Sequence, residues 1–428
     1  MTTFIPEPRL CDSPRHRRWS PVPVPAAEQA TSAGLPGTAD VVIVGAGPAA
    51  LATAAALWHR GVRDVVLLDR QGTPCRRFFA RVDVLRQRVL RSPYEHHPGA
   101  EGYRDCELLD FARLHWSLLT PVERREVRMA QAGHRSVVPV DVFEAYCRHV
   151  AVTHQVDTRT WRAAVRQVEP GPDAVVVRTE DTEVVAGYVV LCTGEERRPA
   201  PAGWQADEGK VSYWDEPVPG DPERMVVIGA GLTAAHLVAN ALTVGRRVAW
   251  VFREPAERYQ CADINATFFR PEGRSRFEGS TWSDRAALMR QQRRASIMFE
   301  FRPLLRRAES SGQLTVHRGQ RVTGVTSPGG GPMVQLASGD RVAGDHVLLA
   351  LGTVPGRQAS VLPEQLTGAR DGWPDLDQQN LAYTRARRVF AVGAAAAMAL
   401  GPGARNIDGH RVAANRVSAA IAAGLARA

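Results

Sequence analysis

Lysine is almost missing from this chain, although the chain is basic. Its 428 residues include 54 Lys and Arg against 45 Asp and Glu, a formal net charge of +9, yet Lys210 is the only lysine. The arginines are spread along the chain and form no basic stripe with interleaved aromatic residues, the pattern typical of nucleic-acid-binding proteins. The composition therefore argues against a nucleic-acid partner and favours attraction of phosphorylated cofactors or anionic substrates.

Cysteine pairs are missing as well. The six cysteines form no CxxC pair and no spacing typical of metal ligands; they are Cys11, Cys75, Cys106, Cys147, Cys192 and Cys261. Reduced, mostly buried thiols are expected, which favours a cytoplasmic protein. The histidines between residues 96 and 134 share no ligand spacing with a carboxylate or a cysteine, so no metal site is predicted.

Long apolar runs are also lacking. The first 20 residues contain no apolar segment of the kind found in secretory signals. The alanine-rich residues 389–400 fall short of the ~20 apolar residues that a membrane-spanning helix needs. We therefore predict no membrane partner, and we interpret the Pro- and Arg-rich residues 1–38 as a flexible arm without regular structure.

The strongest motif lies in residues 41–70. An apolar run ends at Gly45, an Ala- and Leu-rich helical pattern follows, and a second apolar run closes at Asp69. This order of strand, tight turn, helix and strand is the fingerprint of dinucleotide binding. Gly47 lets the backbone approach a pyrophosphate, Ala50 lets the helix pack close to the strand, and Asp69, 22 residues after Gly47, accepts from a ribose hydroxyl.

An internal repeat indicates that this unit occurs twice. Residues 165–194 match residues 322–352 in the positions of their valines, turn glycines, V-A-G triplet and closing glycine. Each copy predicts a small β-meander followed by a buried strand. The chain is therefore expected to contain two copies of one dinucleotide-binding domain.

The second copy has its own fingerprint in residues 225–253. Gly229, Gly231 and Ala234 follow a strand and open a helix, and the next strand runs to Arg253, again 22 residues after the second glycine. The acid of the first copy suits a ribose 2′-hydroxyl, whereas Arg253 suits a 2′-phosphate. The two sites are thus expected to hold different nucleotides, and the second favours NADP(H) over NAD(H).

The pairing of two nucleotide sites also suggests which cofactors they hold. Two nicotinamides have no evident chemistry together, whereas a flavin accepts hydride from one, so the first site is assigned to FAD and the second to NADPH. After Gly352 the chain returns to the first domain through a strand at residues 389–393 and a terminal helix capped by Asn406 or Asp408, whose N-terminus would face the cofactor. The predicted fold is α/β: an FAD-binding Rossmann-like domain with an inserted Rossmann-like NADP-binding domain, each with a β-meander.

These assignments give domain boundaries and two sets of candidate residues. The expected segments are the arm at 1–38, the first part of the FAD-binding domain at 39–204, the NADP-binding domain at 205–355 and the return to the FAD-binding domain at 356–428. The FAD candidates are Gly45, Gly47, Pro48, Ala50, Asp69, Arg70, Thr193, Gly194 and Gly393. The NADP candidates are Gly229, Gly231, Thr233, Ala234, Arg253 and Gly352.

Several stretches resemble a known family. The arrangement of motifs over residues 39–428 resembles the flavoproteins with two dinucleotide-binding domains. Within that group, ADINATFFRPEGRSRFEG at residues 262–279 resembles the N-hydroxylating branch of the class B flavin monooxygenases, which acts on amines such as ornithine and lysine. The pattern D-x-x-x-L-A-x-G at residues 345–352 and the tail GPGARNIDG at residues 401–409 are similar to the same branch.

The resemblance implies a reaction and one more site residue. It implies an FAD- and NADPH-dependent monooxygenase that uses O2 to hydroxylate a nitrogen of a small amine or amino acid through a flavin C4a-hydroperoxide. It places Asn265 near the nicotinamide and names no catalytic acid or base. The loop from Leu90 to Tyr103 is then expected to contribute to the substrate side. Whether the chain forms a homo-oligomer stays open.

Departures from the family pattern leave alternative functions open. Pyridine nucleotide-disulfide reductases need a redox-active cysteine pair, which the sequence does not show, and Gly393–Ala394 stands where many of them carry Gly-Asp. The Gln and Lys that the N-hydroxylating branch places near the flavin have no counterpart in residues 82–93, and the linker GKVSYWDEP at residues 209–217 lacks the Baeyer-Villiger signature. The alternatives are an NADPH-dependent flavoprotein oxidoreductase or oxidase without an organic oxygen acceptor, and a non-catalytic NADP-binding flavoprotein.

Overall fold

The structure is a computed structural model that describes residues 13–19, 34–99, 107–202, 204, 209–261, 271–292, 294–327, 331–356 and 361–427. The strands in these ranges are β1 (Thr38–Val44), β2 (Val65–Asp69), β3 (Val89–Leu90), β4 (Val138–Pro139), β5 (Thr160–Arg162), β6 (Gln167–Pro170), β7 (Val175–Arg178), β8 (Glu183–Leu191), β9 (Glu195–Arg197), β10 (Val211–Tyr213), β11 (Arg224–Ile228), β12 (Arg247–Val251), β13 (Leu314–His317), β14 (Val322–Thr326), β15 (Met333–Leu336), β16 (Arg341–Ala343), β17 (His346–Leu349), β18 (Thr353–Pro355), β19 (Ala382–Tyr383) and β20 (Ala386–Ala391).

The helices in the same ranges are α1 (Pro48–His59), α2 (Arg76–Val84), α3 (Glu107–Leu114), α4 (Pro121–Gln131), α5 (Val140–Thr153), α6 (Leu232–Thr243), α7 (Pro271–Glu278), α8 (Trp282–Gln292), α9 (Arg302–Ser310), α10 (Glu364–Thr367), α11 (Ala397–Leu400) and α12 (Ile407–Leu425). Short 3₁₀ turns lie at Trp116–Leu118, Phe299–Phe301, Ala394–Ala396 and Pro402–Arg405. Among the helices of these ranges, none combines the length and the apolar composition needed to cross a bilayer.

The first sheet is built from the apolar runs at both ends of the chain. β20, β8, β1, β2 and β5 lie side by side in parallel, and β19 pairs antiparallel with β20 at one edge. Val41, Val42 and Ile43 of β1 are fully buried, as expected for a parallel strand covered on both faces. α1 packs against β1, α5 and α12, so the helix after the first glycine turn lies at the centre of this domain.

The second sheet repeats this design. β10, β17, β11, β12 and β13 are all parallel to their neighbours, and α6 follows β11 as α1 follows β1. The fold is therefore α/β with two Rossmann-like parallel sheets, as the two fingerprints predict. β20, the last strand of the first sheet, comes after all strands of the second sheet in the sequence.

The two β-meanders of the repeat are present but differ in their third strand. In the first copy β6 and β7 pair antiparallel, and β8 continues without interruption from the meander into the parallel sheet. In the second copy β14, β15 and β16 form a separate antiparallel sheet, and the chain turns at Gly344 before β17 begins. A Cβ on Gly344 would lie 2.7 Å from Cγ2 of Val226, so glycine allows this turn to pack on the parallel sheet.

A helical segment after β12 packs on the other domain. α8 places Met289 in the core that surrounds the first sheet, although its sequence lies within the predicted NADP-binding segment. Arg285 of α8 is 5% exposed and donates from Nη1 to the carbonyl oxygen of Met398, which belongs to α11. Trp282 donates from Nε1 to Asp371. The predicted boundaries therefore assign α8 to the NADP-binding segment, whereas its side chains pack against the domain of the first sheet.

The described part of the N-terminal segment, residues 13–19, is anchored, in contrast to the flexible arm expected from its composition. Arg17 binds the carboxylate of Glu123, at 2.6 Å, and that of Asp141, at 2.7 Å. Trp19 also donates from Nε1 to Asp141. The side chains of Glu123 and Asp141 are only 1% and 3% exposed. Arg17 thus neutralises two buried carboxylates on α4 and α5.

Replacing Arg17 with leucine is expected to lower the free energy of unfolding by about 3 kcal/mol, because two buried carboxylates lose their main counter-charge. Urea denaturation followed by circular dichroism measures the change. The matched control is Arg18→Leu, since Arg18 is exposed and its replacement is expected to change stability by less than about 0.5 kcal/mol. Equal stability of the two variants would show that the ion pairs of Arg17 do not stabilise the fold.

Candidate functional site: two nucleotide crevices

The first glycine of the first turn is required by the fold itself. Gly45 follows β1 with φ of +106°, a backbone conformation that side-chain-bearing residues rarely adopt. A Cβ at this position would lie 2.5 Å from the carbonyl oxygen of Cys192, at the end of the neighbouring strand β8. Gly45 also donates from its N–H to the carbonyl oxygen of Leu68, at 2.8 Å. Because Gly45 has no side chain, the ends of β8, β1 and β2 can pack closely against one another at this turn.

Gly47 has a different reason to be glycine. It has φ of −72° and ψ of −178°, which any residue can adopt, and no described atom lies within 4 Å of the place where its Cβ would be. Neither backbone strain nor packing explains the absent side chain. The space lies at the N-terminus of α1, where backbone N–H groups and the helix dipole favour a phosphate. A dinucleotide pyrophosphate fits this cradle.

The residues after this cradle support it. Pro48 is the first residue of α1, where its missing N–H costs nothing because that group has no partner within the helix. Ala50 is fully buried, so α1 approaches the sheet closely. Thr193 and Gly194 follow β8, and the Thr193 hydroxyl oxygen is shielded from solvent and meets no hydrogen-bond partner among the described residues.

Asp69, the last residue of β2, is held at the same turn. Its Oδ2 accepts from the backbone N–H of Ala46, at 3.1 Å, and its Oδ1 accepts from the N–H of Gln71, at 2.7 Å. The carboxylate is therefore fixed beside the glycine turn, where a ribose hydroxyl could reach it. Arg70, the next residue, is exposed.

In the second crevice, too, the first glycine is required by backbone conformation and packing, and the second is not. Gly229 has φ of +139°, and a Cβ there would lie 2.2 Å from the carbonyl oxygen of Ala350. Gly231 has φ of −92° and ψ of −178°, and no described atom lies within 4 Å of its would-be Cβ. Ala234 is fully buried in α6, and Thr233 is half-buried in the first turn of that helix. The second turn thus offers a second phosphate cradle.

Arg253 does not occupy quite the position that the equal spacing suggests. Gly45 bonds to Leu68 and Gly229 bonds to Val251, so the connection between glycine and strand is one residue shorter in the second copy. Phe252, 3% exposed, is therefore the structural counterpart of Asp69, and Arg253 corresponds to Arg70. The side chain of Arg253 is exposed at the carboxyl end of β12. Phe252 at the acid position carries no charge, so this side chain would not repel a 2′-phosphate.

Paired linkers join the edges of the two sheets. β9, which follows Gly194, pairs antiparallel with β18, which follows Gly352. Arg198 donates from its N–H to the carbonyl oxygen of Gly352, at 3.0 Å, and Gly356 donates to that of Gly194, at 2.9 Å. The ribbon therefore connects the chain after the first sheet with the chain after the second, with Gly194 and Gly352 at its opposite ends.

Arg405 fastens this ribbon. Its Nη2 donates to Oε2 of Glu195, at 2.8 Å, and to the hydroxyl of Thr353, at 3.2 Å. Arg405 lies just before α12, whereas Glu195 begins β9 and Thr353 begins β18. One arginine thus holds both linkers. No sequence motif pointed to this residue, although it lies within the tail at residues 401–409.

Other predicted residues lie away from the crevices or outside the described residues. Asn265 belongs to residues 262–270, which the structure does not describe. Asp345 lies at the opposite end of the second sheet, beside the start of β11, where Arg224 binds it and holds the pKa of its carboxyl below the usual range. Of the pattern at residues 345–352, Gly352 alone reaches the linker ribbon. Asn406 is the residue before α12, but its side chain makes no capping hydrogen bond.

The loop at residues 90–103, which contains two histidines, has buried side chains. In its described part, up to Gly99, Tyr94 and His97 are fully buried and His96 is 7% exposed. Nδ1 of His97 lies 3.3 Å from the hydroxyl of Tyr146 on α5. Residues 100–106 are outside the described ranges. Across the parts of the chain that the structure covers, no group of three or more His, Cys, Asp or Glu side chains is arranged to hold a metal ion.

Solved structures with the same overall fold come from more than one kind of enzyme. An ornithine N-hydroxylase from Kutzneria sp. 744, solved with reduced FAD, NADP+ and L-ornithine, is 19% identical with a TM-score of 0.73, covering 91% of this chain and all (100%) of that chain. The L-lysine 6-monooxygenase from Pseudomonas syringae is 17% identical with a TM-score of 0.68, covering 90% and 99%. A bacillithiol disulfide reductase from Staphylococcus aureus is 14% identical with a TM-score of 0.62, covering 91% and 99%.

Sequence comparison identifies the family. None of the curated proteins matches this chain by sequence. A family model described as pyridine nucleotide-disulphide oxidoreductase matches residues 39–268, more than half of the chain, and includes both glycine turns. With two Rossmann-like sheets and a glycine turn in each, the chain belongs to the pyridine nucleotide-disulphide oxidoreductase family.

Proposed function

We propose that the protein is an FAD- and NADPH-dependent monooxygenase that hydroxylates a nitrogen atom of a small amine or amino acid. The observation that carries the proposal is the pair of phosphate cradles at Gly47 and Gly231, at the carboxyl edges of two parallel sheets that β9 and β18 join. Two nucleotide crevices linked in this way suit hydride transfer between two bound cofactors.

The residues present fit both cofactors. For FAD, the turn from Gly45 to Pro48 would hold the pyrophosphate and Asp69 the adenosine ribose. For NADPH, the turn at Gly231 would hold the pyrophosphate and the Arg253 guanidinium the 2′-phosphate. FAD bound there would supply hydride acceptance and oxygen activation, while the protein would position the two rings and exclude water. The corresponding domains would be residues 39–204 with 356–428, and residues 205–355.

The substrate class rests on two independent observations. The segments at residues 262–279 and 401–409 resemble the N-hydroxylating branch, and structures of an ornithine N-hydroxylase and an L-lysine 6-monooxygenase share the fold over about nine-tenths of the chain, 91% and 90%. A small amine or amino acid is therefore the proposed substrate, with O2 as the second substrate. Residues 82–93 contain Gln87 but no lysine, so they do not reproduce the branch's Gln and Lys pair, which argues for an amine other than the branch's usual ones.

The main competing function is a flavoprotein oxidoreductase that reduces a disulfide, as the likeness to bacillithiol disulfide reductase suggests. The structure does place two buried thiols near each other, since Cys75 contributes to the pKa of Cys147. Burial, followed by the contact with Cys75, raises the pKa of the Cys147 thiol well above its usual value. Disulfide exchange needs a thiolate, so this pair is poorly suited to it.

A screen of NADPH consumption over amino acids, diamines, ketones and disulfides, with mass analysis of the products, tests the proposal. The expected result is one amine that gains the mass of one oxygen atom and a transient absorbance near ~370 nm on mixing the reduced protein with O2, as flavin oxygen chemistry produces. Turnover of a disulfide without oxygen incorporation would favour the reductase. NADPH oxidation with no product at all would favour an oxidase.

A further inference from the structure

A histidine ring lies at the edge of the first crevice. His410 is in the first turn of α12. A Cβ on Gly393 would lie 3.8 Å from Nε2 of His410 and 4.0 Å from Cβ of Ala49, which is in the first turn of α1. The ring therefore stands near Gly393 and the helix that begins at the first phosphate cradle. Gly393 has φ of +90°, so a side chain there would strain the backbone as well.

The ring is neutral and incompletely satisfied. Its Nδ1 is shielded from solvent and has no hydrogen-bond partner among the described residues. Burial lowers the pKa of His410 to about 4, with the Arg405 carbonyl opposing this change and the Arg405 charge adding to it. A neutral imidazole carries one N–H donor and one acceptor nitrogen. Ala394, the residue after Gly393, is 3% exposed and offers no polar side chain at this edge.

The half-buried ring thus has one shielded nitrogen, Nδ1, without the partner that most buried polar atoms in proteins have, and its other nitrogen, Nε2, faces Gly393. A second histidine provides the comparison. His236 of α6 is buried, burial lowers its pKa to about 4, and its Nε2 has no partner among the described residues. His236 packs edge-on against Phe301, with ring centroids 4.9 Å apart, and fills an apolar core. His410 differs because it faces Gly393, at the carboxyl edge of the sheet.

We propose that His410 donates a hydrogen bond from Nε2, the ring nitrogen that faces Gly393, to an oxygen atom of the ribityl–pyrophosphate portion of FAD, where that portion passes between Gly393 and α1. This inference rests on the proposed function, because it requires FAD in the first crevice. His410 would then be a cofactor-binding residue supplied by the C-terminal helix, more than 350 positions after the glycine turn that it complements.

Replacing His410 with leucine tests the inference, because leucine fills much of the volume and removes the donor. FAD dissociation constants from fluorescence titration are expected to rise about tenfold, as loss of one hydrogen bond to a polar or charged oxygen predicts. The thermal midpoint of the FAD-free protein is expected to stay the same or rise, because an unpaired buried nitrogen has been removed. A structural role would lower that midpoint instead.

Two further variants make the result specific. His410→Gln keeps an N–H donor and is expected to bind FAD within about threefold of the unaltered protein, whereas the matched control His236→Leu is expected to leave FAD affinity unchanged. In the unaltered protein, FAD is expected to shift the ring ¹⁵N resonances of His410 and not those of His236. This measurement decides the matter even if a variant fails to fold.

The role of His410 is overturned if His410→Leu binds FAD as tightly as the unaltered protein, or if FAD leaves the His410 resonances in place. It is also overturned if the leucine variant destabilises the FAD-free protein as much as the loaded one. An unaltered protein that takes up no FAD would instead overturn the proposed function itself.

Discussion

A Gly47→Val variant is expected to fold normally and to lose FAD. The φ and ψ of Gly47, −72° and −178°, are accessible to valine, and no described atom lies within 4 Å of the new Cβ. Neither backbone strain nor a steric clash therefore opposes the change. The side chain would instead fill the space assigned to the pyrophosphate. FAD affinity is expected to fall roughly 100-fold, or about 2.7 kcal/mol. Fluorescence titration and the thermal midpoint of the FAD-free protein measure the two effects separately.

Two neighbouring variants show whether the effect comes from the cradle. Gly45→Val is expected to destabilise the fold by about 3 kcal/mol or more, because it combines φ of +106° with a Cβ 2.5 Å from the Cys192 carbonyl oxygen. Gly231→Val is expected to weaken NADPH binding and to leave FAD binding intact. If Gly47→Val keeps its FAD, the pyrophosphate does not lie at α1 and the assignment of the first crevice fails.

Replacing Arg253 with serine is expected to abolish the preference for NADPH over NADH. A guanidinium bound to the 2′-phosphate contributes about 1.5–3 kcal/mol, so kcat/KM for NADPH is expected to fall roughly 10- to 100-fold. The value for NADH, which has no such phosphate, is expected to change little. Steady-state rates of flavin reduction with each nucleotide measure both numbers.

Arg247 provides the control for this experiment. It is exposed, like Arg253, but it begins β12 and so lies at the opposite end of the strand. Arg247→Ser removes the same charge from the same strand and is expected to leave the ratio of NADPH to NADH rates unchanged. Equal losses in both variants would indicate general attraction of anions by a basic protein, and a specific phosphate contact at Arg253 would be excluded.

The glycine turns could be recognised in advance because their requirement is local. A strand, a tight turn and a helix need glycine or alanine at fixed offsets, and both turns and both parallel sheets have the predicted form. The apolar period of α5 is local in the same way, and its residues Phe143 and Tyr146 are fully buried. Patterns of this kind depend only on residues close together in the sequence, so they can be read without knowing the fold.

Features that depend on distant contacts could not be predicted in this way. The one-residue shift at Arg253 became visible only through the hydrogen bonds that align β12 with β11. The docking of Arg17 onto Glu123 and Asp141 joins residues more than 100 positions apart, and composition alone suggested a loose arm. The approach of His410 to Gly393 likewise requires knowledge of how α12 packs on α1.

The strand order of the first sheet has a consequence for biosynthesis. Val189 of β8 pairs with Val389 of β20, so the hydrogen-bonding edge of β8 waits for the last part of the chain to leave the ribosome. The second sheet, by contrast, is complete once β17 has been made. We therefore expect the inserted domain to fold first during translation, with the earlier-synthesised half of its host held incomplete until the C-terminal helix arrives.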